Sequence, residues 1–347
     1  MNIFIDISPL ESGHKVRGVG FYLNRLKSAL EKYFPDNTYH FFTGNIPKTK
    51  DVVHIPYFDP FFLSLPFIKP QKTIVTVHDL TPLIFPELFP VGIKGRVKWE
   101  IQKQSLKLSA HIITDSEASK KDIVRLTGIP ASKISVVYLA AGEEFKIIQN
   151  SKLKINNLQK KYKLPESFAL YVGDVTPNKN LLSLIDAIID TKIPLVMVGK
   201  ALTDTSYDHA NPWNRDQVLV QKKIKDYPEL FYALGFIDTE DVVSLYNLAT
   251  LSVFPSLYEG FGLPVLEAMQ CGCPVVTTRG GSLPEVAGIA AEIADGFDSH
   301  ALSKSLKKVW EDKKLQDTLH ETGISQAKKF SWEKTAEQTM HIYEKIH

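Results

Sequence analysis

Short apolar runs alternate with amphipathic stretches along almost the whole chain, and this alternation restricts it to a layered α/β fold. In the first half, strands are predicted at residues 3–5, 52–54, 73–77, 111–114 and 134–137. Helices are predicted there at residues 21–32 and 116–126, the second with Ser116 as its N-cap. In the second half, strands are predicted at residues 168–172, 195–198, 231–234, 251–254 and 274–278, and helices at residues 180–189 and 241–248. The pattern predicts two doubly wound, Rossmann-like halves facing a central cleft, with ligands beyond the carboxyl ends of the strands.

The length of 347 residues suits two domains better than one hydrophobic core. Residues 146–165 are polar, rich in lysine and poor in strand formers, so we expect the domain linker there. We therefore predict a first domain over residues 1–150 and a second over residues 151–330.

Composition excludes several classes of protein. A hydrophobic content of 44% and a charged content of 23% are ordinary for a globular protein, and a net charge of +2 does not indicate nucleic-acid binding. We find no apolar run of transmembrane length and no signal peptide at the N-terminus. Cys271 and Cys273 are too close for a normal disulfide, so we expect buried, reduced thiols in a cytoplasmic protein.

Residues 255–269 carry the most chemical information, because they predict a strand end, a glycine turn and a helix start. Pro264 suits the first turn of that helix, whose amides favour an anionic or hydroxyl-rich ligand. Glu259 and Glu267 would place two carboxylates in the same crevice. This arrangement suits a sugar nucleotide, whose sugar and ribose both have vicinal hydroxyls. For Glu267, the alternative is that it only complements the helix dipole. The donor-binding residues predicted in the turn are Gly260, Phe261, Gly262 and Leu263.

Residues 171–180 join a strand to a helix and predict a phosphate site. Helix-start amides and the point charge of Lys179 would bind a diphosphate, and Gly173 and Asn178 belong to the same loop. Lysine at a helix start opposes the helix dipole, so an anionic ligand would account for its position. The alternative is a solvated lysine.

The first half offers two further candidates. His78 follows an apolar strand, where its ring could bind a sugar hydroxyl or could be a structural histidine bonded to the backbone. Gly18 and Gly20 follow Arg17 between the first strand and the first helix. A lone G-x-G is weak evidence, and a turn that needs glycine explains it equally well.

The segment 255–269 resembles the E-x7-E element of retaining glycosyltransferases of family 4, which have the GT-B architecture, and the resemblance covers essentially the whole chain. It implies that a C-terminal helix over residues 331–347, with Ser331 as its cap, crosses back onto the first domain. It also implies that Lys179 belongs to a basic pair that neutralises the leaving diphosphate. The arginine of that pair is absent here, and Lys200 and Arg279 are the candidate substitutes.

The resemblance assigns roles to the other candidates. It implies that Gly18 and Gly20 approach the donor phosphates, and that His78 lies near the transferred sugar. Asp115 and Ser116 would line the same cleft. The turn that contains Phe236 and Ile237 would hold the nucleotide base, although both could equally be core residues.

The implied function is a retaining, metal-independent hexosyltransferase without a cofactor. It would move mannose, or else glucose, from GDP-mannose or UDP-glucose to a hydroxyl acceptor in glycan or polysaccharide biosynthesis. The acceptor would be a glycan, a lipid-linked glycan or a small molecule, and no nucleic-acid partner is expected. The predicted catalytic residues are Glu259, Lys179 and His78. The alternatives are a sugar-nucleotide epimerase of the same fold and a non-catalytic, glycosyltransferase-like partner protein.

One loop, residues 57–67, is unusually rich in aromatic residues and prolines, and Lys94, Arg96 and Lys98 follow it in the sequence. The first interpretation is a loop folded onto its own core. The second is an acceptor-side surface that touches a lipid-linked glycan or an anionic bilayer at the inner face of the membrane.

Overall fold

The computed structural model describes residues 1–11, 18–149 and 152–347, which form two compact units. Unit 1 comprises Met1–Ala140 and Phe330–His347, and unit 2 comprises Ala141–Lys329. The stretch 146–165, predicted as a linker, instead contains a helix, Lys152–Tyr162, in unit 2. Its polar composition is that of a surface helix, in which Leu158 is buried and Lys161 and Tyr162 bond the carboxylate of Asp241.

The sheet of unit 1 has six parallel strands among the described residues, in the order β2-β1-β3-β4-β5-β6. The strands are β1 (Asn2–Asp6), β2 (Thr38–Phe42), β3 (Val52–Ile55), β4 (Thr73–Thr76), β5 (His111–Thr114) and β6 (Ile134–Val136). Every residue of β3, β4 and β5 is buried, as expected for a parallel sheet covered on both faces. The sequence analysis missed β2, because this edge strand is only partly buried and mixes polar with aromatic residues.

The helices of unit 1 have the two predicted serine caps, but the first helix begins earlier than predicted. They are α1 (Gly18–Tyr33), α2 (Thr81–Ile84), α3 (Gly92–Lys107), α4 (Glu117–Thr127) and, at the C-terminus, α13 (Trp332–Ile346). The Oγ of Ser116 accepts the amide N–H of Ser119 at 3.0 Å, and Ser331 caps α13 in the same way. Helix α1 begins three residues before Phe21, so Gly18 and Gly20 lie in its first turn and not in a loop. Arg17 lies outside the described residues.

The sheet of unit 2 also has six parallel strands among the described residues, in the order β12-β11-β10-β7-β8-β9. The strands are β7 (Ala169–Val172), β8 (Leu195–Val198), β9 (Phe231–Gly235), β10 (Leu251–Phe254), β11 (Val275–Thr277) and β12 (Glu292–Ile293). The chain runs from β7 through β8 to β9, then returns to the other side of β7 with β10. The strand order therefore reverses between β7 and β10, which is where a doubly wound sheet opens a ligand crevice.

The helices of unit 2 cover both faces of its sheet. They are α5 (Lys152–Tyr162), α6 (Leu181–Thr191), α7 (Arg215–Asp226), α8 (Thr239–Leu248), α9 (Leu263–Gln270), α10 (Leu283–Ala287), α11 (Ser299–Glu311) and α12 (Lys313–Ala327). Cys271 and Cys273, after α9, are free and buried as predicted, and burial raises the pKa of Cys271 to about 12. None of the helices in the described parts of the chain is long and apolar enough to span a bilayer.

Candidate active site

A line of glycines marks the carboxyl edge of the sheet in unit 2. Gly173, Gly199 and Gly235 end the three neighbouring strands β7, β8 and β9, and the amide of Gly199 donates to the carbonyl of Gly235 at 2.9 Å. A Cβ on Gly199 would lie 2.0 Å from the carbonyl oxygen of Gly173, so only glycine fits there. The loops after β7 and β8 can therefore approach each other closely.

The switch point between β7 and β10 brings together two residues that the sequence analysis had singled out. Lys179, after β7, donates from Nζ to both carboxylate oxygens of Glu259, after β10, at 2.7 and 2.9 Å. The side chains are 21% and 15% exposed, respectively. The Oγ of Ser256 donates to the same carboxylate at 2.5 Å. Residues 80 positions apart thus form one charged cluster, and each charge is only partly screened by solvent.

Asn178 ties together the two loops that carry this cluster. Its carbonyl oxygen accepts the amide of Leu257 at 2.7 Å, and its Nδ2 donates to the carbonyl of Tyr258 at 3.1 Å. Its Oδ1 accepts the hydroxyl of Thr176 at 2.8 Å. Asn178, predicted to bind the donor, therefore uses both polar atoms of its side chain to hold the loops.

The loop after β11 is a third loop at this site, and it holds the turn that contains Glu259. The hydroxyl of Ser282 donates to the carbonyl oxygens of Glu259 and Phe261 at 3.0 and 2.7 Å. A Cβ on Gly281 would lie 2.4 Å from the carbonyl oxygen of Glu259, so glycine is required for this approach. The sequence analysis did not single out Gly281 or Ser282. The signal that could have found them is the glycine pair, Gly280 and Gly281, that stands one residue after the predicted strand 274–278.

A small pocket, open to solvent, lies at this cluster. Apart from Lys179, Glu259 and Ser256, its lining is largely apolar, with Val172, Phe254, Pro264, Val265 and Leu283 among its residues. Helix α9 begins beside the pocket at Leu263, after Gly262 and with Pro264 in its first turn, as predicted. A largely apolar pocket with one charged pair can place a polar ligand and hold its anionic part against a lysine.

The other candidates of unit 2 lie outside that lining. Lys200 follows β8, is largely exposed, and lies 3.8 Å from the carboxylate of Asp204. Phe236, exposed, and Ile237, half-buried, follow β9. Lys200, Phe236 and Ile237 share the carboxyl edge of the sheet with the pocket, but β8 and β9 lie on the far side of β7 from β10.

Glu267 and Arg279, the two remaining candidates of unit 2, also lie outside the cluster of Lys179 and Glu259. Glu267 is half-buried in α9, and its negative charge contributes to the raised pKa values of Tyr246 and Cys271, both of which burial raises first. It does not line the pocket with Glu259. Arg279 is exposed after β11. Among the described residues that line the pocket, Lys179 is the only cation.

Unit 1 has a charged pair of its own at the carboxyl edge of its sheet. His78, after β4, donates from Nδ1 to Oδ2 of Asp115, after β5, at 2.6 Å, and its Nε2 lies 3.2 Å from the carbonyl oxygen of Pro56. Both partners are acceptors, so this arrangement favours a proton on each ring nitrogen. Burial lowers the pKa of His78, but the charge and hydrogen bond of Asp115 outweigh it and raise the pKa overall.

Behind His78 lies a chain of buried polar groups. The ring of Tyr22 meets that of His78 edge to face, with centroids 4.8 Å apart. The hydroxyl of Thr76 lies 3.3 Å from that of Tyr22 and 2.7 Å from Nε2 of His54. Nδ1 of His54 lies 2.6 Å from the hydroxyl of Tyr343 in α13, and burial lowers the pKa of His54 to about 3. A neutral histidine thus joins the C-terminal helix to the sheet of unit 1, which the sequence analysis did not predict.

Two doubly wound α/β units are the architecture of the GT-B class, and in this chain the switch point of one unit carries a charged pocket. A solved structure of the same fold is Anabaena Alr3699/HepE in complex with UDP-glucose, with a TM-score of 0.73 and 18% identity over 99% of this chain and 100% of that one. The model of the family "Glycosyltransferase Family 4" matches residues 17–141, and that of "Glycosyl transferases group 1" matches residues 154–326.

Curated relatives agree with these matches. The O-antigen chain mannosyltransferase B of Escherichia coli is 34% identical over 79% of this chain and 70% of its own length. The chain also matches the serotype-specific mannosyltransferase WbdA of Escherichia coli, at 30% identity over 82% of this chain, and spans only 36% of that protein. The chain belongs to glycosyltransferase family 4.

Proposed function

We propose that this glycosyltransferase moves a mannosyl group from GDP-mannose to a hydroxyl of a growing polysaccharide, with retention of the anomeric configuration. The observation that carries the proposal is the Lys179–Glu259 pair in a pocket at the switch point of unit 2. The names of the relatives above favour mannose and O-antigen synthesis. UDP-glucose is the second candidate donor, because HepE binds it in the same fold.

Lys179 and Glu259 would exchange partners when the donor binds. The diphosphate competes with Glu259 for the ammonium of Lys179, and the released carboxylate then accepts hydrogen bonds from hydroxyls of the sugar. Ser256 holds one oxygen of Glu259 throughout, so the carboxylate stays oriented. Lys179 then stabilises the negative charge that develops on the leaving diphosphate, which is the main contribution expected of a preorganised site.

The reaction breaks the bond between the anomeric carbon and the diphosphate oxygen and forms one to the acceptor oxygen. The acceptor's proton moves to the leaving diphosphate on the same face of the sugar. This route uses no protein base and no metal. It fits a site in which Glu259, the one carboxylate among the described residues that line the pocket, is engaged with sugar hydroxyls.

The remaining roles are proposals that follow the family. Glu267 would bind the ribose hydroxyls, Phe236 and Ile237 the base, and Lys200 the diphosphate. Gly18 and Gly20 would contribute backbone close to the phosphates. For His78 to bind the sugar, a sugar hydroxyl would have to replace the carbonyl of Pro56 at Nε2.

The acceptor and the location are proposals of the same kind. We propose a glycan acceptor, lipid-linked or free, and a cytoplasmic protein that works at the inner face of a membrane. Support for the membrane contact comes from exposed apolar and basic side chains of unit 1.

The test is a transfer assay with GDP-mannose and UDP-glucose, each with and without a mannose-terminated oligosaccharide acceptor. We expect GDP-mannose to give an elongated product with an α-linkage, visible by NMR. Transfer only from UDP-glucose would overturn the choice of donor, and a β-linkage would overturn retention. A converted sugar nucleotide without acceptor would show an epimerase. GDP binding with neither transfer nor hydrolysis would show a non-catalytic protein.

A further inference from the structure

Two neighbouring segments of unit 1 hold large apolar side chains in solvent. In the loop of residues 57–69 these are Phe62, Leu63, Phe67 and Ile68, and in the first turns of α3 they are Ile93 and Val97. Ile68 and Ile93 are the extreme cases, at 94% and 82% exposed. We call these six residues, together with Lys94, Arg96 and Lys98, the apolar–basic face.

The exposure of the loop is built into the structure by buried polar contacts with α3. The side-chain amide of Gln102 in α3 accepts the backbone N–H of Leu65 at 2.8 Å and donates to its carbonyl at 2.9 Å. The hydroxyl of Ser105 donates to the carbonyl of Pro66 at 2.6 Å, and Nζ of Lys69 donates to the carbonyl of Ser105 at 2.7 Å. The loop is therefore fixed to α3 along its inner side, and its largest apolar side chains point away from that contact.

The burial of the loop's side chains combines features of both interpretations of the loop. Phe58, Phe61 and Leu65 are buried, as the interpretation of a loop folded onto its own core requires. Phe62 and Phe67 are not, although both are large enough to contribute strongly to a core. Asp59 accepts the amides of Phe61 and Phe62 at 2.7 and 3.1 Å, so the one acid of the loop is turned to the backbone. Some of the large apolar side chains of the loop are therefore buried and fix its position, and the others are exposed to solvent.

Helix α3 adds positive charge to the same face. It carries five basic residues and a single acid, Glu100. Lys94 and Arg96 lie near its N-terminus, where the helix dipole disfavours positive charge, and no acidic residue lies in the first turn. Within the described parts of the chain neither forms an ion pair. Nζ of Lys98 lies 5.4 Å from the centroid of the Phe62 ring, so the charged and the apolar side chains interleave.

We propose that the apolar–basic face docks onto the surface of an anionic phospholipid bilayer. The apolar side chains would enter the boundary between headgroups and acyl chains, and Lys94, Arg96 and Lys98 would bind lipid phosphates. Long basic side chains suit this boundary, because their stems stay in apolar surroundings while their charges reach the headgroups. An anionic surface also offsets the unfavourable charge at the start of α3. This deepens the proposed membrane location and rests on that part of the proposed function alone.

Vesicle flotation of the full chain without donor tests the proposal. We expect binding to vesicles of phosphatidylcholine and phosphatidylglycerol in equal parts, little binding to pure phosphatidylcholine, and weaker binding as salt rises. The apolar variant Phe62→Ser/Phe67→Ser/Ile68→Ser should lose binding. The charge variant Lys94→Gln/Arg96→Gln/Lys98→Gln should weaken binding by roughly fivefold for each charge removed.

Matched controls lie elsewhere on the surface. Ile289→Ser removes a side chain that is 91% exposed in unit 2, and Lys121→Gln with Lys314→Gln removes exposed charges; both variants should float like the wild type. Equal flotation of all variants, or equal binding to both kinds of vesicle, would overturn the proposal. So would a self-association that the apolar variant abolishes while vesicle binding persists, because it would show a protein interface.

The same variants separate this proposal from that of the reaction. GDP-induced thermal shifts and transfer to a free oligosaccharide should be unchanged in the apolar and charge variants. If the wild type floats through this face but transfers no sugar, the proposed reaction fails and the docking surface stands. If the wild type transfers sugar but the apolar and charge variants float as the wild type does, only the docking proposal is overturned.

Discussion

Each unit has a charged pair, largely shielded from solvent, at the carboxyl edge of its parallel sheet, and these two pairs differ in what surrounds them. In unit 2, Lys179 and Glu259 remain 21% and 15% exposed beside a pocket. In unit 1, His78 and Asp115 are 16% and 4% exposed, and Oδ1 of Asp115 is buried without a hydrogen-bond partner in the described structure. A partly solvated pair beside a pocket can be exchanged for a ligand at little cost. A pair with a buried carboxylate cannot, since breaking it leaves an uncompensated charge.

The comparison predicts that breaking the pair of unit 2 costs activity. Glu259→Gln keeps the shape and the bond from Ser256 but removes the charge. We expect transfer to fall by about 100-fold or more, because the hydrogen bonds between the carboxylate and the sugar strengthen as positive charge develops on the sugar in the transition state. Thermal unfolding should be almost unchanged. The matched control is Glu229→Gln, an exposed glutamate of the same unit, which should transfer normally. Wild-type turnover of Glu259→Gln would remove Glu259 from the site.

Breaking the pair of unit 1 should instead cost stability. Asp115→Asn leaves His78 buried without its counter-charge, and we expect a loss of about 2 kcal/mol in the free energy of unfolding. Lys179→Met in unit 2 should cost less, about 1 kcal/mol, because the carboxylate of Glu259, although only 15% exposed, keeps the hydrogen bond from Ser256. Urea unfolding of both variants measures the difference. Equal losses would mean that the two pairs do not differ as their burial suggests.

The pair of unit 1 should also give stability a pH dependence. The folded-state pKa of His78 is raised above its ordinary 6.5, so its protonation favours the folded state. Its contribution is complete below pH 6.5 and is lost as the pH rises through the raised pKa. Burial raises the pKa of Asp115 above its ordinary 3.8, so Asp115 is itself neutralised at strongly acidic pH. Wild type and His78→Gln should therefore differ most in melting temperature at mildly acidic pH, where Asp115 is still charged, and converge as the pH rises.

His54 works in the opposite direction in the same unit. Its pKa is lowered to about 3, so acidification below pH 6.5 destabilises the fold through this residue. Burial, the main cause of this lowered pKa, is the same in both proteins of the comparison, whereas the smaller part that comes from the charge of His78 is lost in the variant and reduces the difference at acidic pH. A difference that grew with pH would contradict the assignment of His78 as the charged partner of Asp115.

A smaller effect is expected for Ser256, which holds Glu259 without touching Lys179. Ser256→Ala removes a single charge-assisted hydrogen bond of 2.5 Å. Transfer should fall by about tenfold, corresponding to roughly 1.4 kcal/mol, with little change in melting temperature. Ser325→Ala, which removes a hydroxyl from the surface of α12, is the control. An unchanged rate for Ser256→Ala would mean that Glu259 needs no such support.

The sequence predicted the strands that are buried on both faces and the helices that start at a serine cap, because these signals are local. It also predicted Lys179 and Glu259, since each stands where a strand gives way to a helix. It did not predict that they pair across 80 residues, because pairing depends on the strand order, which places β10 beside β7. The lysine-rich helix α5 was mistaken for a linker because a surface helix and a linker share their composition. The role of Ser282 depends on a loop approach that no local pattern shows.

The central claim is that the donor diphosphate takes Lys179 away from Glu259, and calorimetric titration of GDP tests it most directly. Glu259→Gln frees Lys179 from its ion pair before the ligand arrives. GDP, which lacks the sugar that Glu259 would grip, should therefore bind this variant severalfold more tightly than the wild type, corresponding to about 1 kcal/mol. Lys179→Met should bind GDP more weakly. Weaker binding of GDP by Glu259→Gln, or unchanged binding by Lys179→Met, would contradict the exchange.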